Sequence, residues 1–296
     1  MDWFGISSRR AAYVAMACLT LLWGMNWAVM KTGLQYADPI VFNIERTGVA
    51  IATLFGVLLF RRRRFWPESW LAVCVTGFFQ TTINFGATTM ALSSGGVGRT
   101  AVLVFTMPFW TLLIAWPVLG ERVRGSQWFA VGFALFGLVL VVEPWSWQGD
   151  LVSKLWATVS GLGWASGTVA QAYFQRRRRL EGLTLVTWQM AVGILPLTLI
   201  PLVLPLPASE WGVAYLGSLL YAGVIASGMG FVLWVGILGW LPAGTAALNM
   251  LAIPVIALIS SMLIFGERLT TLEWAGIASI GVGLAIISGR AWKAGR

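Results

Sequence analysis

The chain has 296 residues, of which 58% are hydrophobic and only 10% are charged, and its mean hydropathy is +0.80. A soluble domain carries about 25% charged residues, so this composition excludes an ordinary soluble protein and favours one surrounded by lipid. The formal net charge is +9, from 20 Lys and Arg against 11 Asp and Glu. Because the basic residues lie between long apolar runs, as in the loops of membrane proteins, nucleic acid is a poor candidate partner.

Ten apolar segments are long enough to cross a bilayer, which takes about 20 mainly apolar residues. In chain order they are 11–33, 39–60, 69–92, 97–118, 126–143, 152–174, 183–204, 210–236, 242–264 and 272–290. The connections are short, so no separate soluble domain is expected. The first segment follows two arginines, as a signal peptide does, but it is long and lacks a clear cleavage site, so we expect a retained helix.

The distribution of Lys and Arg predicts the orientation of these segments. With ten spans both termini lie on one side, where 15 of the basic residues fall, against 4 on the opposite side. The positive-inside rule therefore predicts that both termini are cytoplasmic. The two runs of four arginines, 61–64 and 176–179, each follow a segment that enters the cytoplasm, and we interpret them as topology anchors.

A stretch of the fourth segment recurs in the ninth. "FTMPFWTLLIAWPVLGER" (105–122) and "LAIPVIALISSMLIFGER" (251–268) share a proline at the fourth position and a final Gly-Glu-Arg. The match extends outward to Gly98 with Gly244, Trp128 with Trp274, and Gly137 with Gly283. The chain is therefore expected to contain a duplicated unit of five helices, 1–147 and 148–296.

The odd number of helices in each unit sets its orientation. The second copy must enter the membrane from the opposite side, which is a transporter design. We therefore expect an all-α membrane protein of ten transmembrane helices, arranged as two inverted five-helix repeats. Glu121 and Arg122 would then be cytoplasmic, and Glu267 and Arg268 periplasmic.

Three features also carry a family resemblance: "LLWGMNW" (21–27), Arg46 and the paired Pro…Gly-Glu-Arg ends. With the duplicated unit, they make the chain resemble, over essentially its whole length, an EamA-type member of the drug/metabolite transporter superfamily. Within that superfamily it is most similar to bacterial exporters of aromatic amino acids. The resemblance implies an inner-membrane protein that exports amino acids through a central cavity between helices one, three, four, six, eight and nine. Export of other metabolites or drugs is the alternative.

Polar residues within apolar spans are costly and usually face the bundle interior. Asn and Gln can donate and accept hydrogen bonds, and Trp, Phe and Tyr offer ring faces that also attract ammonium groups. The substrate-binding candidates are Trp23, Asn26, Phe79, Gln80, Asn84, Thr106, Trp164, Thr168, Gln171, Tyr221 and Asn249. The alternative for each one is a contact that only joins neighbouring helices.

Glu45 and Arg46 form the only adjacent ionisable pair inside a span. Successive helix positions do not face each other, so the two side chains need different partners. The favoured interpretation is an ion pair with another helix or a position near the interface, and the alternative is proton coupling through Glu45. Pro108 and Pro254 are expected inside helices four and nine, as matched flexure points or as static kinks.

The missing motifs argue against other classes of protein. The chain has no histidine, no H-E-x-x-H, no G-x-S-x-G and no Walker A sequence, so neither a hydrolytic enzyme nor an ATP-driven pump is expected. Cys18 and Cys74 lie in apolar runs, away from any metal-ligand pattern. No cofactor or metal is expected, and the expected partners are a small-molecule substrate and the lipid bilayer. A membrane-embedded enzyme or receptor is the alternative from a different class.

Overall fold

The computed structural model describes residues 6–120, 125, 127–142, 145, 151–238, 240, 250 and 252–294. Helices dominate these residues, as the composition predicts. Consecutive helical segments form rods, which we number α1 to α10 in chain order.

The first half of the chain supplies α1 to α5. The rods are α1 (Arg9–Gly33), α2 (Pro39–Phe60), α3 (Trp70–Gly77, the π-helix Phe78–Ile83, and Asn84–Ser94), α4 (Val97–Val104 and Met107–Leu119) and α5 (Gln127–Val142). Polar side chains cap the starts of the first three. Ser8 and Ser69 accept from the backbone N–H three residues on, and Asp38 accepts from Ile40 just before the Pro39 that opens α2.

The second half supplies α6 to α10. The rods are α6 (Leu151–Gln175), α7 (Gly182–Gly193, Leu195–Thr198 and Ile200–Val203), α8 (Val213–Leu220, the π-helix Tyr221–Met229, and Gly230–Leu238), α9 (Ala252–Phe265) and α10 (Thr271–Ala294). Among the described residues, α1, α2, α4, α7 and α8 are long and apolar enough to cross a membrane, while α5 and α9 are apolar but shorter. The count of ten spans stays a prediction.

The duplication is visible in the third rod of each half. Both α3 and α8 begin with an eight-residue α-helical segment and then widen into a π-helix. π-helical turns are rare and are frequently found at functional sites. The π-helix of α8 lies close against α2, because a Cβ at Gly223 would come within 2.8 Å of the Arg46 carbonyl oxygen. In α3 the Thr82 hydroxyl donates to the Gly193 carbonyl of α7.

The rods α5 and α10, the last of each half, cross in close contact. A Cβ at Gly137 would lie 2.5 Å from the Gly276 carbonyl oxygen, and one at Gly283 would lie 2.7 Å from the Ala130 carbonyl oxygen. Between these points the Ser279 hydroxyl donates to the Phe133 carbonyl at 2.7 Å, across the same separation of 146 residues that relates the two copies in the sequence. The two rods therefore run antiparallel, as corresponding helices of an inverted duplication do.

The structure around Pro108 differs from the prediction of a proline inside helix four. The rod is interrupted at Phe105 and Thr106, and Pro108 lies in the first turn of Met107–Leu119. A first-turn residue needs no intrahelical N–H donor, so proline is tolerated there. Pro117 is the proline inside this segment, and Pro254 is the third residue of Ala252–Phe265. A hinge role for Pro108 and Pro254 stays a prediction.

The sides of the membrane on which the two Gly-Glu-Arg copies lie stay predictions. Glu121 and Arg122 of the first copy lie outside the described residues. In the second copy, Glu267 accepts hydrogen bonds from the backbone N–H groups of Val97 and Gly98. The motif of one half therefore joins the first turn of α4 in the other half.

Candidate functional site

A cavity of about 120 Å³ lies between the two halves of the bundle. Its described walls come from α1, α2, α3 and α4 of the first half and from α6, α8 and α9 of the second, together with Met250. A water-sized group needs about 10–15 Å³ on this measure, so the cavity has room for on the order of ten such groups. A small metabolite fits this space.

Aromatic rings form much of the wall. Among the described residues, the rings that line the cavity are Trp23, Trp27, Phe85, Phe105, Trp164 and Phe231. Phe231 lies between two of them, with centroid distances of 5.7 Å to Trp23 and 6.3 Å to Trp164. The Trp23 indole N–H donates to the Ala226 carbonyl of the α8 π-helix at 2.8 Å. These contacts fix the rings in place, so the wall offers a stacking surface that a ligand does not have to order.

Two polar wall residues, Asn84 and Thr88, also join α3 to α6. The Asn84 amide donates to the Ser160 carbonyl at 3.0 Å and to its hydroxyl at 2.8 Å. Thr88 and Ser160 share a further hydroxyl–hydroxyl bond of 2.7 Å. The polar face that the sequence predicts on helix three is therefore partly occupied by helix packing.

Asn26 on α1 has an unsatisfied acceptor in the same wall. Its side-chain oxygen, Oδ1, is buried and has no hydrogen-bond partner among the described residues. Leaving a buried acceptor without a partner costs about 1–3 kcal/mol. A ligand donor such as an ammonium group would remove that cost once a rotation of the side chain turned Oδ1 into the cavity.

Arg46 on α2 supplies the charge of the site. It is 3% exposed, and its guanidinium carbon lies 4.5 Å from the centroid of the Phe85 ring. Nε donates to Asn43 Oδ1 at 3.1 Å, and Nη1 donates to Ser227 Oγ at 3.5 Å. No carboxylate of the described residues lies within ion-pair distance of it.

Glu45, its neighbour in the chain, points to different partners and is not part of the cavity wall. Ser209 donates to its two carboxylate oxygens at 3.0 and 3.2 Å, and the Tyr215 hydroxyl donates to it as well. Glu45 thus joins α2 to the start of α8 through hydrogen bonds. Proton coupling through Glu45, the alternative to a structural role, stays a prediction.

The structure brings some of the candidate residues together and separates others. Trp23, Asn26, Asn84 and Trp164 line the cavity, and Arg46, which the sequence analysis treated as a structural charge, joins them. Gln80 instead bonds to Gln189 and Thr168, and the Tyr221 hydroxyl donates to the Leu22 carbonyl. Thr106, at the break in α4, accepts from the Trp110 indole N–H at 3.0 Å. Phe79, Thr168 and Gln171 do not line the cavity, and Asn249 lies outside the described residues.

Sequence reasoning missed most of the apolar wall. Met30, Phe85, Phe105, Met107, Phe231 and Ile253 are in contact with the cavity. In a chain that is apolar throughout, residue type does not separate a cavity-facing side chain from a lipid-facing one. Helical spacing offered one usable signal, since Met30 follows Trp23, Asn26 and Trp27 on one face of α1.

The bonds between α3 and α6 lead to a stability prediction. We expect Asn84→Ala to lower the free energy of unfolding by about 1–3 kcal/mol, because the Ser160 acceptors lose a buried donor. Thermal unfolding in detergent measures this, and Asn84→Ala combined with Ser160→Ala should be clearly non-additive because the two share the same bonds. Thr89→Ala is the matched control, since Thr89 is buried on the same helix but its hydroxyl donates only to carbonyls of that helix, those of Phe85 and Gly86. Equal losses for Asn84→Ala and Thr89→Ala would contradict the prediction.

A lipid-compatible helical bundle with an aromatic cavity between two related halves is typical of multi-pass membrane transporters. The sequence model of the EamA-like transporter family matches residues 10–143 and again 152–289, so the chain belongs to this family. A probable amino-acid metabolite efflux pump of Escherichia coli is 25% identical to it, covering 97% of each chain. The transporter YoaV of Bacillus subtilis is also 25% identical, over 85% of this chain and 88% of its own. A crystal structure 18% identical in sequence has a TM-score of 0.66, covering 97% of this chain and 99% of that one, and shows the same fold.

Proposed function

We propose that this protein is a secondary transporter of a bacterial inner membrane that exports amino acids, with aromatic amino acids preferred, by alternating access. The observation that carries the proposal is the cavity between the two halves, which combines aromatic walls with a charged donor and an unsatisfied acceptor. An amino acid with an aromatic side chain presents the complementary groups. Its ring can stack on the tryptophans, its ammonium group can donate to Asn26, and its carboxylate is an acceptor.

The relatives support the coarser part of this proposal. Proteins of Escherichia coli and Salmonella typhimurium that match nearly the whole chain are named probable amino-acid metabolite efflux pumps. The preference for aromatic side chains comes from the cavity wall. The export direction follows these relatives, since alternating access itself is reversible and the gradients decide net flux.

The placement of irregular helix around the cavity is consistent with alternating access. The π-helix of α8 contributes Ala226 and Ser227 to the wall, and the break in α4 contributes Phe105 and Met107. Irregular backbone is tolerated at membrane depth where it lines a cavity, and transporters use such elements for movement. Cytoplasmic termini remain part of the proposal and follow from the distribution of arginines.

Counterflow in liposomes tests the substrate. The purified protein should exchange labelled phenylalanine, tyrosine and tryptophan, and empty liposomes should not. Trp164→Ala should weaken the apparent affinity for these substrates about tenfold, because one stacking face is lost. Trp156→Ala is the matched control, since Trp156 lies on the same helix but is 38% exposed. Exchange of a different metabolite, with aromatic amino acids inactive, would overturn the aromatic preference and favour another substrate of the superfamily.

A further inference from the structure

Arg46 is a buried cation that faces a cavity. Only 3% of the residue is exposed, and its Phe85 and Ser227 contacts are both part of the cavity wall. An arginine within a transmembrane segment is costly unless a partner anion or several acceptors compensate it. Arg46 is therefore expected to bind an anion or further acceptors.

The protein supplies incomplete compensation. A guanidinium has five N–H donors, and the acceptors found among the described residues, Asn43 and Ser227, take two of them. Both of these acceptors are neutral. The Phe85 ring adds a cation–π contact, which also carries no negative charge.

Three acidic side chains of the described residues are engaged with other partners. Glu45 accepts from Ser209 and Tyr215. Glu267 accepts from the first turn of α4, and Glu273 forms an ion pair with Arg99 at 2.5 Å. No carboxylate of the described residues therefore neutralises Arg46, and an anionic occupant of the cavity would do so.

We propose that Arg46 binds the carboxylate of the transported molecule, so that the substrates are small carboxylic acids with an apolar or aromatic body. This deepens the proposed function and rests on it for the statement that the occupant is transported. The planar guanidinium suits a carboxylate because it donates two parallel bonds to the two oxygens. Asn43, Ser227 and Phe85 hold the fork in position, and its remaining donors are available to the ligand.

The same geometry assigns a second role to Asn26. Its unsatisfied oxygen accepts a donor but repels a carboxylate, so it complements Arg46 within one cavity. An α-amino acid carries a carboxylate for Arg46 and an ammonium group for Asn26. An acid without the ammonium group satisfies only Arg46, and an amine without the carboxylate meets the unneutralised cation.

Four ligands that differ in their carboxylate and ammonium groups separate the contribution of Arg46 from that of Asn26. The probes are L-phenylalanine, 3-phenylpropionate, L-phenylalaninamide and phenethylamine, tested as ligands that raise the unfolding temperature and as competitors of phenylalanine counterflow. For the wild-type protein we expect the two acids to bind at least about 30-fold more tightly than the amide and the amine, the size expected for a desolvated charge pair.

Variants of Arg46 test the residue itself. In Arg46→Met both acids should lose at least about 30-fold in affinity, while phenethylamine should bind equally well or better because the like charge is gone. Arg46→Lys keeps the charge without the fork and should be intermediate. Ligand-free Arg46→Met should unfold at the same temperature or higher, since a buried charge without an anion has been removed. Arg178→Met removes an equal charge from an exposed position and should change none of these values.

The outcomes distinguish this proposal from the proposed function. Equal binding of acid and amide by the wild type, or an acid preference that persists in Arg46→Met, overturns the carboxylate site even if phenylalanine is exported. Leucine and leucinamide test the carboxylate site without an aromatic ring. If only this pair shows a preference for the acid, and Arg46→Met removes that preference, the carboxylate site is supported and the aromatic preference is overturned. If neither acid series binds, the carboxylate proposal fails. If Arg46→Met does not fold, the reduced acid affinity of Arg46→Lys decides the question.

Discussion

Gly137→Ala is expected to lower the free energy of unfolding by about 3 kcal/mol or more. The added methyl carbon would lie 2.5 Å from the Gly276 carbonyl oxygen and 2.8 Å from the Ile280 side chain. The first of these atoms is backbone and cannot rotate away, so α5 and α10 must separate. Close helix approach through small residues is a main source of attraction between helices in lipid, where no hydrophobic driving force acts.

The same helices provide matched controls. A Cβ at Gly132 on α5 or at Gly281 on α10 would meet no atom within 4 Å. Gly132→Ala and Gly281→Ala should therefore be neutral, or stabilising by up to about 1 kcal/mol through helix propensity. Gly283→Ala should behave like Gly137→Ala because its Cβ would lie 2.7 Å from the Ala130 carbonyl oxygen. Thermal unfolding of all four variants in one detergent measures the contrast, and four similar values would exclude this crossing.

Glu267→Gln is expected to lower the stability by about 1–3 kcal/mol and to loosen the end of the bundle at which α4 begins. The carboxylate accepts from the backbone N–H groups of Val97 at 2.5 Å and Gly98 at 3.1 Å. These are donors of the first helical turn, where a negative charge also interacts favourably with the helix dipole. Glutamine retains one acceptor oxygen but loses the charge and the second acceptor.

The neighbouring contacts show why the effect should be local to this end. Arg99, two residues after Val97, forms its ion pair with Glu273 on α10 and donates to the Arg268 carbonyl at 3.2 Å. Glu267 is thus one of several links between α4 and the turn from α9 to α10. A cysteine placed at the buried Thr100, in a background without Cys18 and Cys74, should react faster with a maleimide in Glu267→Gln.

The control for this prediction is Glu210→Gln, because the Glu210 side chain is exposed. It should change neither the unfolding temperature nor the labelling rate. Unchanged labelling of Thr100→Cys in the Glu267→Gln variant would show that this carboxylate does not hold the end of the bundle closed.

The fold class could be predicted from the sequence because long apolar runs can be recognised without any tertiary information. Long apolar runs require helices in lipid, because backbone polar groups there must be satisfied within the segment. The duplication could be recognised because Pro108, Pro254 and the two Gly-Glu-Arg ends recur at matching positions within otherwise apolar segments. The match of the EamA-like family to both halves confirms the recognition and the duplication.

The site was less accessible to sequence reasoning. Gln80 and Asn84 are one helical turn apart and alike in chemistry, yet only Asn84 lines the cavity, while Gln80 bonds to Gln189 on α7. Gln80 lies within the π-helix of α3 and Asn84 directly follows it, so the wider π-helical turn changes the rotation and an ideal four-residue spacing no longer describes one face. Arg46 was ambiguous because, apart from Asn43 on its own helix, its partners Ser227 and Phe85 come from α8 and α3.

The sequence by itself determined that this protein lies in lipid, that it is helical, that it is duplicated and that it belongs to its family. The solvent and the helical class follow from composition and from the long apolar runs, the duplication follows from the repeated motif, and the family follows from a resemblance that the family match confirms. Only the tertiary structure decided which polar groups face the cavity and which form hydrogen bonds between helices. It did so because each buried donor or acceptor bonds to whichever group packing brings within reach. Among the described residues, donors of Arg46 and the side-chain oxygen of Asn26 have no such partner.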